Sequence, residues 1–334
     1  MKAVYYSFLV FFTACAAAPS SYNSNNSSES NAPITCVPFQ IIEDGGGAAA
    51  YSPDGTCFAI AERSDDAGKI RVFEAAAGNL VHTFSAHGYQ AEICYSPNSQ
   101  YIISADWGGG ILIWDLTTGE LYKSLSLGDE TANAHTNSVR TVACSPDGRF
   151  AASGSNDYSI KIWDTSSWSV LFTLPGRSVV NQVNFSPDGK YLVSAGSDYA
   201  VRIWNVSNGK LLRTMNAKYP VNTAIYSPDG KYIAAGYDDS DNKIRIWDAT
   251  TGKLIYTLDS GRTWKVVYSP DGKYLAAATT NSRSGKGGVK LYDTQNWDFV
   301  ILTDEDSQNV AFSPDGRFII LTGPSISKIY QIQK

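Results

Sequence analysis

The sequence predicts an all-β protein in which a four-stranded unit is repeated seven times. A turn motif of the type Ser-Pro-Asp-Gly recurs seven times, at intervals of 41 to 49 residues. Short runs of alternating apolar and polar residues fill the intervals, as half-buried strands require. The chain of 334 residues also contains 28 Gly and 20 Tyr, a composition typical of a turn-rich β protein. The serines that begin the seven motifs are Ser52, Ser96, Ser145, Ser186, Ser227, Ser269 and Ser313.

Charge and composition exclude several classes of protein. The 32 Asp and Glu residues outnumber the 27 Lys and Arg residues, giving a net charge of −5, whereas a nucleic-acid binder normally carries a basic face. Hydrophobic residues make up 43% of the chain and aromatic residues 12%, which is enough for a large core and unlike a disordered chain. Only 3 histidines are present, too few for a typical multi-histidine metal site. We therefore expect no nucleic-acid partner, no metal and no cofactor.

Residues 1–18 are predicted to be a signal peptide. After a positively charged start, residues 3–18 are almost wholly apolar. As a helix they would span about 24 Å, less than the roughly 30 Å of a membrane's hydrocarbon core. The segment Phe12-Thr13-Ala14-Cys15 resembles a bacterial lipobox, although an aliphatic residue is usual where Phe12 stands; the resemblance implies lipidation of Cys15. The alternative is ordinary signal cleavage within the alanines around Cys15. We therefore expect an exported cell-envelope lipoprotein on the periplasmic or surface side, or else a secreted protein.

Residues 19–36 are predicted to be a flexible tether. The segment is rich in Ser and Asn and has too few apolar residues to bury a core. In a eukaryotic host, Asn25, Asn26 and Asn205 stand in N-x-S sequons, and glycosylation would then replace lipidation.

A second marker closes each repeat. About twenty residues after each turn motif, an alternating run ends in an aromatic residue followed by a polar one. These pairs are Phe73-Glu74, Trp114-Asp115, Trp163-Asp164, Trp204-Asn205, Trp247-Asp248, Tyr292-Asp293 and Tyr330-Gln331. The period and the Trp-Asp endings resemble the WD40 β-propeller family over residues 37–334. The resemblance implies a ring of seven four-stranded blades, each of about 43 residues.

The ends of the chain are predicted to close the ring. The first repeat is preceded by an additional strand, residues 37–42, and the last repeat ends after its third strand. We expect residues 37–42 to supply the outer strand of the last blade, since this pairing removes two exposed sheet edges.

The family resemblance also implies a buried hydrogen-bond network in each blade, running through a His, a Ser or Thr, an Asp and the Trp. The third repeat has all four members: His135, Ser153, Asp157 and Trp163. The fourth keeps Ser194, Asp198 and Trp204, with Arg177 near the histidine position, and the second keeps His87, Ser104 and Trp114, with Gly108 in place of the Asp. These residues are interpreted as structural rather than catalytic.

Signals for catalysis and metal binding are weak. The sequence contains neither Gly-x-Ser-x-Gly nor His-Glu-x-x-His. The glycine runs at 45–47 and 108–110 precede no phosphate-binding helix and are interpreted as tight turns. Residues 238–242, Asp-Asp-Ser-Asp-Asn, are interpreted as a solvated insertion, with calcium binding as the minor alternative. We expect no enzymatic activity.

Of the five cysteines, Cys36, Cys57, Cys94 and Cys144 lie outside the signal peptide, and four cysteines allow three complete pairings. Cys94 and Cys144 occupy inner strands of neighbouring repeats but are offset by one position relative to the turn motif. They are expected to point to opposite sheet faces, which argues against a direct bond between them. Buried free thiols are the simpler interpretation.

The resemblance implies that the loops before the first and third strands form the face that binds partners. The residues that stand five positions before each motif serine are of six different types: Gly47, Ala91, Arg140, Asn181, Asn222, Trp264 and Gln308. We call these seven the channel-mouth residues. Their diversity indicates positions free of a common structural role. Turns predicted for the same face add Trp107, Tyr158, Arg177, Tyr199 and Tyr237, and aromatic residues with Arg are typical of binding hot spots.

The sequence thus predicts a monomeric, non-catalytic scaffold that binds a protein or peptide and meets a membrane only through a lipid anchor. The alternative is a propeller enzyme or a binder of a small polar ligand at the central channel. An enzyme would require several converging ionisable groups, and the channel-mouth residues supply a single charge, Arg140.

Overall fold

The computed structural model describes residues 35–42, 46–62, 68–86, 88–126, 133–238, 241–280, 287–324 and 326–333. The predicted signal peptide with Cys15, the tether up to residue 34, and His87 lie outside the described residues. The described residues form seven antiparallel sheets of four strands each, with no helix. The seven-bladed all-β architecture predicted from the repeats is confirmed.

Blades 1 to 6 are each built from four consecutive strands. Blade 1 contains β2 (Ala48–Tyr51), β3 (Cys57–Ala61), β4 (Lys69–Glu74) and β5 (Leu80–Ser85). Blade 2 contains β6 (Gln90–Tyr95), β7 (Tyr101–Asp106), β8 (Ile111–Asp115) and β9 (Glu120–Leu125). Blade 3 contains β10 (Val139–Cys144), β11 (Phe150–Ser155), β12 (Ser159–Asp164) and β13 (Ser169–Pro175).

The second half of the ring repeats this order. Blade 4 contains β14 (Val180–Phe185), β15 (Tyr191–Gly196), β16 (Ala200–Asn205) and β17 (Leu211–Asn216). Blade 5 contains β18 (Val221–Tyr226), β19 (Tyr232–Tyr237), β20 (Lys243–Asp248) and β21 (Leu254–Asp259). Blade 6 contains β22 (Arg262–Tyr268), β23 (Tyr274–Thr280), β24 (Gly288–Asp293) and β25 (Phe299–Thr303).

Blade 7 joins the two ends of the described chain. It contains β26 (Asn309–Phe312), β27 (Phe318–Thr322) and β28 (Ser327–Gln333), with β1 (Thr35–Ile42) as its outer strand. β1 runs antiparallel to β28 from Thr35 opposite Gln333 to Ile42 opposite Ser327. The predicted closure is confirmed, and the strand begins at Thr35, two residues before its predicted start. Pro38, which lacks a backbone N–H, stands at an irregularity of this edge pairing, the position that a sheet tolerates best.

The Ser-Pro-Asp-Gly motif forms the turn between the first and second strands of each blade. In blade 3, the Ser145 hydroxyl donates a hydrogen bond to Asp147 Oδ1 (2.7 Å) and accepts one from the amide of Phe150 (2.9 Å). Gly148 adopts a φ of 71°, which favours glycine. The motif recurs because the same two hydrogen-bonding side chains and one positive φ build the same hairpin in every blade.

The core lies between blades, whose sheets stack face to face. Trp114, Trp163, Trp204 and Trp247 are buried, each packed in a cluster that spans two neighbouring blades. A β-bulge in the pairing of the third and fourth strands recurs in six blades, for example between Ile162 and Trp163. The bulge increases the local twist of the outer strand.

Cys94 and Cys144 form a disulfide, so the expectation that they would not pair is wrong. The two cysteines do lie on opposite faces relative to the repeat, as their offset predicts. In a propeller, however, neighbouring sheets stack face to face, so blade 2 contacts blade 3 with one face of its sheet and blade 3 contacts blade 2 with the opposite face. Opposite parity therefore brings the two sulfurs together in the space between blades. Cys36 and Cys57 are free thiols.

Candidate functional site: the channel mouth

The network predicted in blade 3 is assembled from four side chains. Trp163 Nε1 donates a hydrogen bond to Ser153 Oγ (2.8 Å), and Ser153 Oγ lies 2.7 Å from His135 Nε2. His135 Nδ1 lies 2.8 Å from Asp157 Oδ2. The chain of bonds is satisfied if Ser153 donates to Nε2 and Nδ1–H donates to the carboxylate. The Nε2 atom then carries no proton, so the imidazole is neutral.

Burial and hydrogen bonding set the charges of this network. Burial lowers the pKa of His135, which outweighs the opposing effect of Asp157. Burial raises the pKa of Asp157, but hydrogen bonds from His135, Ser159 and the amide of Thr136 hold it well below its usual value. A neutral histidine and an ionised carboxylate at this depth are consistent with a structural role.

Blade 4 replaces the histidine differently from the prediction. Arg177 is exposed, and Arg202 instead forms the ion pair with Asp198, with Nη2 2.7 Å from Oδ2. Trp204 Nε1 donates to Ser194 Oγ at 2.9 Å. Arg245 and Asp241 form the same i,i+4 pair in blade 5. The sequence signal for both is an Arg two residues before the Trp of the closing pair, a position from which the side chain reaches back along its own hairpin.

The seven channel-mouth residues line one cavity of about 140 Å³. Five of them, Ala91, Arg140, Asn181, Asn222 and Trp264, are the unpaired residues of β-bulges in the first strands of blades 2 to 6. A bulge takes one residue out of the ladder and re-aims its side chain. The residue variation seen in the sequence therefore falls at positions that sheet pairing does not constrain.

Trp107 is the most exposed aromatic side chain of this cavity, with 44% of its surface accessible. Its ring lies 4.6 Å from that of Tyr89 and 5.5 Å from the guanidinium of Arg140, measured to ring centroids. The Nε of Arg140 also donates a hydrogen bond to Asn156. These contacts hold an exposed indole in a fixed orientation beside a cation, which is the composition of an interaction hot spot.

Trp264 also lines the cavity and is half-buried. Its Nε1 donates a hydrogen bond to Thr280 Oγ1 (3.1 Å), and the guanidinium of Arg262 stacks 3.9 Å from the ring centroid. Arg262 in turn pairs with Asp238 at 2.8 Å. Trp264 therefore has packing partners of its own, in addition to the face it presents to the cavity.

Asn181 and Asn222 connect neighbouring blades. The side-chain amide of Asn181 donates to the carbonyl of Val221 (2.9 Å), and that of Asn222 donates to the carbonyl of Thr263 (3.1 Å). Both residues were predicted as partner contacts because they break the repeat pattern. Their bonds give them a structural role at the channel.

The predicted tyrosines behave differently from one another. Tyr158 and Tyr199 are about half exposed and adopt positive φ, 69° and 62°, in turns before the third strands. Tyr237 is fully buried, so its prediction as an exposed partner contact is wrong. It ends β19 instead of lying in a turn, and it packs against the guanidinium of Arg245, 4.6 Å from the ring centroid.

Sequence reasoning missed an ion pair across the cavity. Lys265 Nζ lies 2.6 Å from Glu92 Oε2, with both side chains largely buried, and the pair joins blades 6 and 2 across 173 residues of sequence. The cavity therefore carries two charges, Glu92 and Lys265, in addition to Arg140, the single charge among the channel-mouth residues. Each residue directly follows a channel-mouth residue, which is the signal that could have found them.

The insertion at 238–242 is partly described, and its described carboxylates pair with arginines: Asp238 with Arg262 and Asp241 with Arg245. In the described parts of the chain, no group of three or more His, Cys, Asp or Glu side chains is arranged to hold a metal. No helix in those parts has the length and apolarity needed to cross a membrane.

The fold and its variable central cavity define a seven-bladed propeller of the WD40 type, and comparison with known proteins places the chain more closely. Residues 91–330, more than half of the chain, match the family model described as IFT122 first beta-propeller, and the chain belongs to this family. It is also 37% identical over 93 residues to the protein named small ribosomal subunit protein RACK1 of Caenorhabditis elegans. That alignment covers 27% of this chain and 26% of the relative, so the chain spans about a quarter of the curated relative it matches.

Proposed function

We propose that this protein is a non-catalytic interaction scaffold that binds a protein or peptide at the channel mouth. WD40-type propellers are typically protein-interaction scaffolds, and the chain belongs to such a family. The observation that carries the proposal is the convergence of the seven channel-mouth residues, of six different types, on one cavity with an exposed, oriented Trp107 at its edge.

The size of the cavity favours a side chain of a larger partner over a whole small molecule. Its volume of about 140 Å³ is well below the roughly 300–1,000 Å³ of typical small-molecule sites. Trp107 and the exposed Tyr158 and Tyr199 extend the surface outside the cavity. A partner would then rest on the aromatic rim and insert one polar side chain between Arg140 and the Glu92–Lys265 pair.

A specific observation supports a second candidate, the capture of a small polar ligand. Within the described residues, Gln308 Oε1 and Asn309 Oδ1 are buried at the cavity without a hydrogen-bond partner. Buried acceptors of this kind are stabilised by a donor, which a ligand or an inserted side chain can supply.

The proposal includes export of the protein, with the propeller held at a membrane surface by lipidated Cys15 and the segment 19–34. This part is supported by the apolar start of the chain and the lipobox-like sequence alone. Metabolic labelling with a palmitate analogue tests it: label is expected in the native chain and none in Cys15→Ser. An unlabelled native chain would leave secretion as the alternative.

The binding surface is tested with matched variants on opposite faces. A partner is identified by photo-crosslinking from position 158, purified, and titrated against the native protein, Trp107→Ala and Tyr191→Ala. We expect about a tenfold to hundredfold weaker binding for Trp107→Ala, typical of a hot-spot aromatic. Tyr191, beside the Ser-Pro-Asp-Gly turn on the other face, serves as the control and should leave binding unchanged. Equal affinity of all three proteins would place the site elsewhere.

A further inference from the structure

A second cavity lies on the other face of the ring, between blades 2 and 3. Its volume is about 610 Å³, within the range of small-molecule sites. Cavities at equivalent positions between blades 4 and 5 and between blades 5 and 6 measure about 370 and 280 Å³. The cavity between blades 2 and 3 is therefore larger than these two equivalents, and binding of a partner at the channel mouth does not require this difference.

The two walls of this cavity are cross-linked. Cys144 lines the cavity, and its disulfide to Cys94 ties blade 3 to blade 2. The corresponding cavities between blades 4 and 5 and between blades 5 and 6 have no cysteine in their walls. A covalent bond between the walls fixes their separation before any ligand arrives, which reduces the entropy lost on binding.

A tryptophan supports the floor at a backbone position that usually takes glycine. Trp168 has a φ of 56°, at the turn position where blades 2, 4 and 5 have Gly119, Gly209 and Gly252; blade 6 has Trp297 there, with a φ of 63°, at the smaller cavity between blades 5 and 6. The Trp168 amide makes the same turn hydrogen bond, to the carbonyl of Asp164 at 2.7 Å. A bulky residue with positive φ is strained, so its retention requires a compensating gain. The gain is the packing of a buried indole beneath the cavity.

The walls have complementary chemistry. Blade 2 contributes Tyr101 and Tyr122, whose ring centroids lie 5.3 Å apart with the ring planes tilted by 50°, so the two rings form one angled aromatic platform. Blade 3 contributes Asp147, whose carboxylate is the single charge among the described lining residues. The Ser145 hydroxyl, despite opposing desolvation, and the Arg149 amide hold the pKa of Asp147 below its usual value, so it stays ionised. Thr165 and Ser166 complete a polar rim.

We propose that this inter-blade cavity binds a neutral pyranose sugar. The apolar C–H face of a pyranose ring stacks on the Tyr101–Tyr122 platform, and its edge hydroxyls donate hydrogen bonds to the Asp147 carboxylate. An ionised carboxylate without a lining cation disfavours anionic ligands such as nucleotides. A quaternary ammonium ion needs aromatic faces on several sides, whereas the tyrosines form one wall and Trp168 is 7% exposed.

The chain supplies its own control for the carboxylate. In repeat 2 the equivalent turn carries Asn98, whose Oδ1 accepts the same hydrogen bonds, from Ser96 Oγ (2.6 Å) and the amide of Gln100 (3.2 Å). Asp147→Asn therefore preserves the turn while it removes the charge. Tyr122 is 56% exposed, so Tyr122→Ala removes the platform without opening the core. Leu212→Ala is the matched control, since Leu212 lines the cavity between blades 4 and 5.

The test is ligand-observed saturation-transfer NMR on the full chain, followed by titration. The probes are the methyl pyranosides of glucose, galactose and mannose, N-acetylglucosamine, choline and glucuronate. We expect saturable binding of at least one neutral pyranoside, about tenfold weaker in Tyr122→Ala and in Asp147→Asn and unchanged in Leu212→Ala. The proposal is overturned if none of the neutral pyranosides shows saturable binding. It is also overturned if the native protein and all three variants bind them equally. Choline binding that is lost in Tyr122→Ala, without pyranoside binding, assigns the cavity to a cation instead. Trp107→Ala leaves sugar binding unchanged, so this result is independent of the channel-mouth function.

Discussion

Replacing the shared serine of the blade 3 network should cost more than replacing its counterpart in blade 4. Ser153 Oγ serves two buried partners, Trp163 Nε1 at 2.8 Å and His135 Nε2 at 2.7 Å, and both rings are 1% exposed. Ser194 receives the hydrogen bond of Trp204 at 2.9 Å. Ser153→Ala therefore leaves two buried polar atoms unpaired, whereas Ser194→Ala leaves one.

The difference can be estimated from the cost of an unpaired buried group. At about 1–3 kcal/mol for each group, Ser153→Ala should lower the free energy of unfolding by about 3 kcal/mol and Ser194→Ala by about 1.5 kcal/mol. Hydrogen bonds in a chain also strengthen one another, which increases the difference. Both substitutions remove the same atom from equivalent strands, so the change in apolar burial is matched.

The assay is urea unfolding at neutral pH, followed by tryptophan fluorescence and by circular dichroism. The comparison holds if the dependence on urea is the same for the native protein and both variants. A double-mutant cycle with Trp163→Phe isolates the bond, and the cost of Ser153→Ala should fall by about 1 kcal/mol in that background. Losses that agree within about 0.5 kcal/mol for Ser153→Ala and Ser194→Ala would refute the argument from two partners.

Three other outcomes follow from the structure. The free energy of unfolding should decrease as pH falls below 6.5, the ordinary pKa of histidine, because the unfolded chain binds a proton that buried His135 resists. It should decrease again below pH 3.8, as Asp157 loses the stabilisation of its ionised form. A pH titration of the melting temperature checks both steps, and the step near 6.5 should vanish in His135→Gln. Deletion of residues 35–42 should broaden the thermal transition and lower its midpoint sharply, because the deletion exposes the β28 edge. The control Phe39→Ala, at an exposed bulge position, should change the transition little. An unchanged melt on deletion would show that closure does not stabilise the ring. Cys144→Ala should lower the free energy of unfolding by about 4 kcal/mol, since the disulfide closes a loop with a sequence separation of 50; Cys57→Ala is the control, and a loss no greater than the control's would contradict a stabilising cross-link.

Much of the fold could be predicted because its determinants are local and repeated. Each Ser-Pro-Asp-Gly turn is built from groups within five residues of one another, such as the side chains of Ser145 and Asp147 and the amide of Phe150. The ring closure followed from counting strands, and His135, Ser153, Asp157 and Trp163 lie within one repeat. The channel-mouth residues were found from alignment alone, because bulge positions escape the constraints of strand pairing.

The remaining features depend on which blade faces which, and the sequence of one repeat does not contain that information. The Cys94–Cys144 bond forms because stacked sheets turn opposite faces to each other, and the Glu92–Lys265 pair forms because ring closure brings blades 2 and 6 to the same channel. Tyr237 was predicted to lie in an exposed turn, but it takes the strand-end position that Ser155 and Gly196 hold in blades 3 and 4, and it packs against residues of blade 4. The sequence by itself thus determined the number of blades, their turns and their closure. The tertiary structure decided which side chains meet between blades and across the channel, since those contacts depend on the stacking geometry of the whole ring.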